Sequence, residues 1–244
     1  VRPARAFFDL QVRFAHEAAR LTGAPLVGAL LEWTNLYVRF GAGRAFDPAH
    51  PLWAAYSSGI DESAPLAQQC EWTWRYLQRC PTHRASPYVI ASFGCFAYAR
   101  DAHGGVRLHF DPRVDRGMSP LDIRRRHARR AELQRLIEHV CEHDPAWSSL
   151  ELHGTSWLYN VPAYRGLFPD VYVASAQPVP RWRALSLWGQ FLDRHGALRE
   201  MPAAGMLTRV AQLRNIEEGI AQCFPFQALA VSAPIQLLRE HFSA

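Results

Sequence analysis

The sequence predicts an α+β fold: a helical N-terminal region packed on a mixed β-sheet with flanking helices. Three observations predict it. Up to Arg79 the apolar residues recur three and four apart, the period of a helix face. From Tyr88 they alternate or gather in short aromatic and β-branched runs, the habit of strands. Beyond Ser119 the two habits take turns. The change near Pro81 to Pro87 marks the boundary between a helical region, 1–84, and an α/β body, 85–244, which one continuous domain would also accommodate.

Each element has its own reason. Leu10, Phe14, Ala18 and Leu21 share one stripe, and Thr22-Gly23 stops the helix, since glycine takes the left-handed conformation that ends one. Pro25 suits the first turn of a second helix, in which Leu26, Leu30, Trp33, Tyr37 and Phe40 alternate four and three apart. Asp47-Pro48 and His50-Pro51 break the chain; a short helix follows over Leu52 to Ser58, and another runs from Pro65 to Arg79. Tyr88 to Arg100 and Val106 to Phe110 pair as a hairpin around the turn from Asp101 to Gly105. Ser119-Pro120 offers an N-cap and a first-turn proline to a long helix, which Asp144-Pro145 stops after His143. Ser149 to Trp157 reads as a strand, Asn160 to Phe168 as a short helix and Val171 to Ala176 as a strand. Helices over Trp182 to His195 and Met206 to Gln222, a strand over Gln227 to Ser232 and a helix over Ile235 to Phe242 complete the chain.

Composition narrows the classes. The chain is 49% apolar and 20% charged and has 8 Trp, 13 Phe and 8 Tyr to bury, as a globular protein does and a disordered one does not. Its longest apolar run, Ala24 to Leu31, falls far short of the roughly 20 residues that span a bilayer. Val1-Arg2-Pro3 begins no signal-peptide core, so a soluble cytoplasmic protein without a membrane partner is expected. All 27 basic residues are arginine, the mark of a GC-rich bacterial genome, so no lysine Schiff base or P-loop lysine exists here. Five cysteines without a C-x-x-C pair read as free thiols.

The front of the long helix carries Arg124, Arg125, Arg126, His127, Arg129 and Arg130, with Asp122 and Glu132 as nearby acids. A helix start is already electropositive, so this cluster suits a solvated face or a small phosphate-bearing ligand. Nucleic acid is not the expected partner, because the aromatic residues that stack bases do not interleave the run. At the helix's other end, His139, Glu142 and His143 match H-x-x-E-H, the pattern of a zinc-dependent hydrolase. A third ligand would have to come from Glu200 or Glu217 without any supporting pattern, so this is a minor alternative and no metal is expected. No serine has the flanking glycines of G-x-S-x-G.

The order hairpin, loop, helix, strand, helix and strand from Phe93 to Ala176 resembles the central part of a GNAT-type acyl-CoA N-acyltransferase. In that family the loop before the helix cradles the pyrophosphate of coenzyme A, and Asn160 to Phe168 is similar to the segment that follows the next strand. The resemblance implies acetyl-CoA or another acyl-CoA as cofactor, held by Arg113, Arg116, Gly117, Ser119, Arg124, Arg125 and Asn160. It implies Tyr159 or Tyr164 as the acid that protonates the leaving thiolate and Glu151 or His153 as the base. It also implies a splayed pair of parallel strands beside the loop. The loop departs from the family's Arg/Gln-x-x-Gly-x-Gly/Ala pattern: Val114 stands three residues before Gly117, and Ser119 where Gly or Ala belongs. That departure keeps open a second class, a non-catalytic interaction or adaptor protein on an acyltransferase-like fold. Such a protein would engage its partner through an exposed aromatic patch on the N-terminal helices.

Overall fold

Phe7, Phe8, Leu10, Phe14, Ala15 and Ala18 fall on one stripe and are buried along α1 (Arg5–Thr22). Gly23, at φ 68°, ends the helix and returns its N–H to the Ala19 carbonyl at 2.8 Å. The structure is a computed structural model and describes residues 2–80, 88–101, 104–112, 118–179, 187–215 and 219–243. The chain divides into two compact units, Val1–Arg84 with Arg181–Phe226, and Ala85–Pro180 with Gln227–Ala244.

The first unit is helical. The expected second helix is two pieces, α2 (Leu26–Trp33) and α3 (Leu36–Arg39). The break has a side-chain cause. Buried Thr34 turns its hydroxyl back onto the Leu30 carbonyl, and the Gln11 Oε1 accepts from the Asn35 N–H at 2.9 Å. Helix α4 (Pro51–Gly59) starts at its proline under a His50 cap, and α5 (Leu66–Arg79) buries Cys70, Thr73 and Leu77. Phe40, Trp53, Tyr56 and Tyr76 interlock between them, with Phe40 and Tyr56 centroids 4.7 Å apart. Of the helix expected over 182–195, residues 182–186 lie outside the described ones and Leu187–Phe191 is a 3-10 turn. Past it the chain folds back, Leu192 bridging to Leu198, because the Asp193 carboxylate accepts from the His195 and Ala197 N–H groups. Helix α9 (Glu200–Gln212) follows, six residues earlier than the spacing suggested.

The second unit holds a six-stranded mixed sheet, in the order β1-β2-β3-β4-β6-β5. Tyr88 to Arg100 is not one strand but two, β1 (Ala91–Phe93) and β2 (Phe96–Arg100), turning at Gly94 with φ 58°. Then come β3 (Val106–Phe110), β4 (Glu151–Ser156), the two-residue β5 (Gln177–Pro178) and β6 (Leu229–Pro234). Every pair is antiparallel except β3 with β4. A parallel pair needs a long crossover, which α6 (Arg126–His143) supplies. Ser119-Pro120 does not begin that helix. Asp122 instead caps a 3-10 turn, Ile123–Arg125, by accepting from the Arg124 N–H at 3.0 Å.

Alternation then sorts the sheet's two faces. Phe96, Tyr98, Val106, Leu108, Leu152, Val231 and Ala233 form one core with Leu133, Leu136, Ile137 and Val140 of α6. Tyr164 of α7 (Pro162–Arg165) and Leu238 of α10 (Ile235–Ser243) join it. Val171 to Ala176, expected as a strand, is mostly the short helix α8 (Asp170–Ala174). One residue there turns inward, Tyr172, and stacks on Phe168 with centroids 5.0 Å apart, so the segment follows a helical rather than an alternating pattern.

Candidate functional site

Between β3 and β4 the register is short: Val106 faces Leu152 and Arg107 faces His153, and there it ends. Both strands go on, each fully paired on its other side, so the sheet parts between Leu108–Phe110 and Gly154–Ser156. At the front of α6 lies a cleft of about 200 Å³, with Leu121, Ile123, Arg126 and Arg129 on one side and Ala163 and Leu167 on the other. The wall is largely apolar, and Asp122 and two guanidinium groups break it.

The arginine run sorts itself once partners are known. Arg124 forks onto Asp122, with Nε and Nη2 each 2.9 Å from a carboxylate oxygen, and these bonds hold the Asp122 carboxyl well below the usual carboxylate range. Arg130 reaches His241 at 3.1 Å and lies over the Phe242 ring, and burial together with this arginine depresses the His241 imidazole. Arg129 is buried and paired with Glu132 at 2.7 Å. Arg126 crosses from α6 to the Gly166 carbonyl of α7 at 3.3 Å and has no carboxylate partner among the described residues. Net positive charge at the cleft therefore rests on Arg126.

The Arg129–Glu132 pair is fastened to the sheet. Arg129 also donates to the Cys95 thiol, and the second oxygen of Glu132 accepts from the Cys95 N–H at 3.0 Å. A side chain at Gly94 would put its Cβ 2.0 Å from Glu132 Oε1, so glycine is required there for approach as well as for its positive φ.

Tyr159 and Tyr164 lie in the core with Tyr172. The Tyr159 and Tyr172 hydroxyls are 3.0 Å apart, and Tyr164 bonds to Tyr159. Burial pushes all three phenols well above their ordinary range. They cover Gly154, whose missing Cβ would stand 1.9 Å from the Tyr159 oxygen. Gly154 and Leu152 face this side of β4, whereas Glu151 and His153 face the other. The acid and base candidates are thus on opposite faces of the sheet. His153, where the strands part, has its Nε2 3.7 Å from both Asp101 and Glu151.

Among the other expected residues, Arg113, Arg116 and Gly117 lie outside the described ones. Ser119 is exposed at the mouth of the loop, and Arg125 sits half-buried in the 3-10 turn. Asn160 uses its amide to tie the Trp157 and Gln227 carbonyls together. Sequence reading named Glu132 only as an acid near the arginine run and did not single out Tyr172 or, within the run, Arg126. The three-residue spacing of Arg129 and Glu132 was the available sign of an ion pair. His139 and His143 do meet, but among the described residues no group of three or more His, Cys, Asp or Glu is gathered to hold a metal ion, and Glu217 lies outside them. Burial pushes the Cys70 and Cys80 thiols up to about 11 and raises Cys141 and Cys223, which suits apolar packing and not nucleophilic attack.

Among the described residues no helix is long and apolar enough to cross a membrane. Comparison with protein-family models, with curated proteins and with solved structures finds no match to the chain.

Proposed function

We propose that the α/β unit is a GNAT-type N-acyltransferase that draws its acyl group from acetyl-CoA or another acyl-CoA. One observation carries this reading: the parallel strands β3 and β4, joined by α6, stop pairing after two positions, and a cleft lies at the front of that helix. The cleft suits the cofactor. Its largely apolar wall fits the pantetheine arm, and the Arg126 guanidinium would hold the phosphates.

Bound acyl-CoA would supply the acyl group for an acceptor amine, a transfer in which the amine must give up a proton and the departing sulfur must gain one. In this reading His153 would accept the amine's proton from the sheet face opposite the tyrosines, where its ring lies beside Asp101 and Gly105. Tyr159 and Tyr164 stay protonated, the state a donor to a leaving thiolate needs, with their hydroxyls bonded within the trio. Five free thiols suit a reducing compartment, and we place the protein in the cytoplasm beside its cofactor.

Thermal unfolding with acetyl-CoA or free coenzyme A tests the reading. A ligand of the folded state stabilises by about 2.7 kcal/mol at a hundredfold excess over Kd. We expect an upward shift with both, reduced in Arg126→Ala and unchanged in His153→Gln, which instead loses turnover. No shift in the wild type would overturn the proposal in favour of an interaction protein. That alternative asks for exposed aromatics on the N-terminal helices, where the exposed large apolar side chain among the described residues is Leu66.

A further inference from the structure

We infer that the last turn of α6 is a binding site for a divalent transition-metal ion, held by two imidazoles and otherwise by water. His139 and His143 are one helical turn apart, and their rings stack with centroids 3.9 Å apart and planes at 28°. His143 Nδ1 lies 2.9 Å from the His139 carbonyl oxygen. A carbonyl oxygen only accepts, so Nδ1 carries the proton, and in the neutral ring the Nε2 lone pair is left for a ligand. A metal-ligating histidine is typically oriented in this way, its second nitrogen donating to a backbone carbonyl.

The other ring is held as well. His139 is half-buried against Phe93 and Tyr98, with centroids 5.2 and 6.0 Å away, so little side-chain freedom remains to be lost when an ion binds. The charge environment favours a cation, because the helix C-terminus is partly negative and the exposed carboxylates Glu138 and Glu142 stand on the same turn. Asp144 is committed to Arg100. Two nitrogen ligands without a thiolate select the imidazole-binding ions, zinc, nickel or copper, over calcium or magnesium. The site does not depend on acyl transfer and needs no third protein ligand.

Titration calorimetry of the full chain with Ni²⁺ tests it. The wild type is expected to take up one ion per chain, and His143→Ala or His139→Ala to weaken binding more than about tenfold. His127→Ala, an exposed histidine at the far end of the same helix, should bind as the wild type does. His143 is exposed, so its replacement leaves the core intact and its result stands even if His139→Ala unfolds. Addition of Zn²⁺ should move the Nε2 resonance of His143. Absence of Ni²⁺ uptake by the wild type, or undiminished uptake by His143→Ala, would overturn the site.

Discussion

The two units bury different kinds of polar group. Among the described residues, the buried polar side chains of the helical unit are Gln11, Thr34, Asn35, Gln69, Thr73 and Gln190, all neutral. Those of the α/β unit, its buried tyrosine hydroxyls apart, are Arg129 and Glu132, both charged. The neutral groups mostly hold backbone in place. Gln190 exchanges two hydrogen bonds with the Phe226 backbone, and Gln69 donates to the Asp61 and Glu62 carbonyls. Amides and hydroxyls do this at modest desolvation cost, whereas each buried ion costs several kcal/mol before its partner repays any of it. A fold that needs only fastening has no use for buried charge. The unit that contains it is the unit with the cleft, and Arg129 lines that cleft.

The largest test of this contrast is Glu132→Ala. It removes the carboxylate that Arg129 meets at 2.7 Å and the acceptor of the Cys95 N–H, so we expect a loss of about 3–5 kcal/mol in denaturant unfolding. Replacing both partners together, Arg129→Met with Glu132→Leu, should restore much of the stability, since neither ion then remains to be desolvated. If the pair exists for stability alone, the apolar double variant will match the wild type in the proposed binding of acetyl-CoA. If the charge serves the cleft, that variant will be stable and will bind poorly. A Glu132→Ala loss below about 1 kcal/mol would erase the distinction between the units.

How far the sequence disclosed all this depended on the range of the interactions. Stripes such as Leu10, Phe14 and Ala18, and stops such as Gly23, act within one element, so α1 was legible in advance. The break at Thr34 was not, because it depends on Gln11 in another helix accepting from the Asn35 N–H. Tyr172 misled for a related reason: a five-residue helix is too short to display its period, and its inward residue is fixed by stacking on Phe168. At the site, the arginine run was plain to see. Which arginine has no carboxylate beside it among the described residues was not, since Asp122 and Glu132 choose Arg124 and Arg129 by geometry.

Gly154→Ala probes the α/β unit's neutral polar core, the tyrosine hydroxyls. The new Cβ would fall 1.9 Å from the Tyr159 oxygen and 2.7 Å from that of Tyr172, so both rings must shift. Overpacking of this kind costs about 1–3 kcal/mol, and Tyr159→Phe in the same chain should recover part by removing the nearer oxygen. Hydrogen exchange of the β4 and β6 amides would show the loosening where it arises. Unchanged protection there would mean that the trio does not brace the parted strands.

The smallest effect belongs to the helical unit. Gln11→Met keeps the volume of a fully buried side chain and removes its amide. One hydrogen bond is lost, that from the Asn35 N–H at 2.9 Å, but the Gln11 Nε2, which has no partner in the core, disappears with it. These terms oppose each other, so we expect a loss near 1 kcal/mol, well under that of Glu132→Ala. The Asn35 N–H should then exchange faster than its neighbours. If instead Gln11→Met costs as much as breaking the ion pair, neutral fastening is no cheaper than buried charge here. The helix break at Thr34 would then have to be counted with the cleft as a place where this chain gives up stability for something other than its fold.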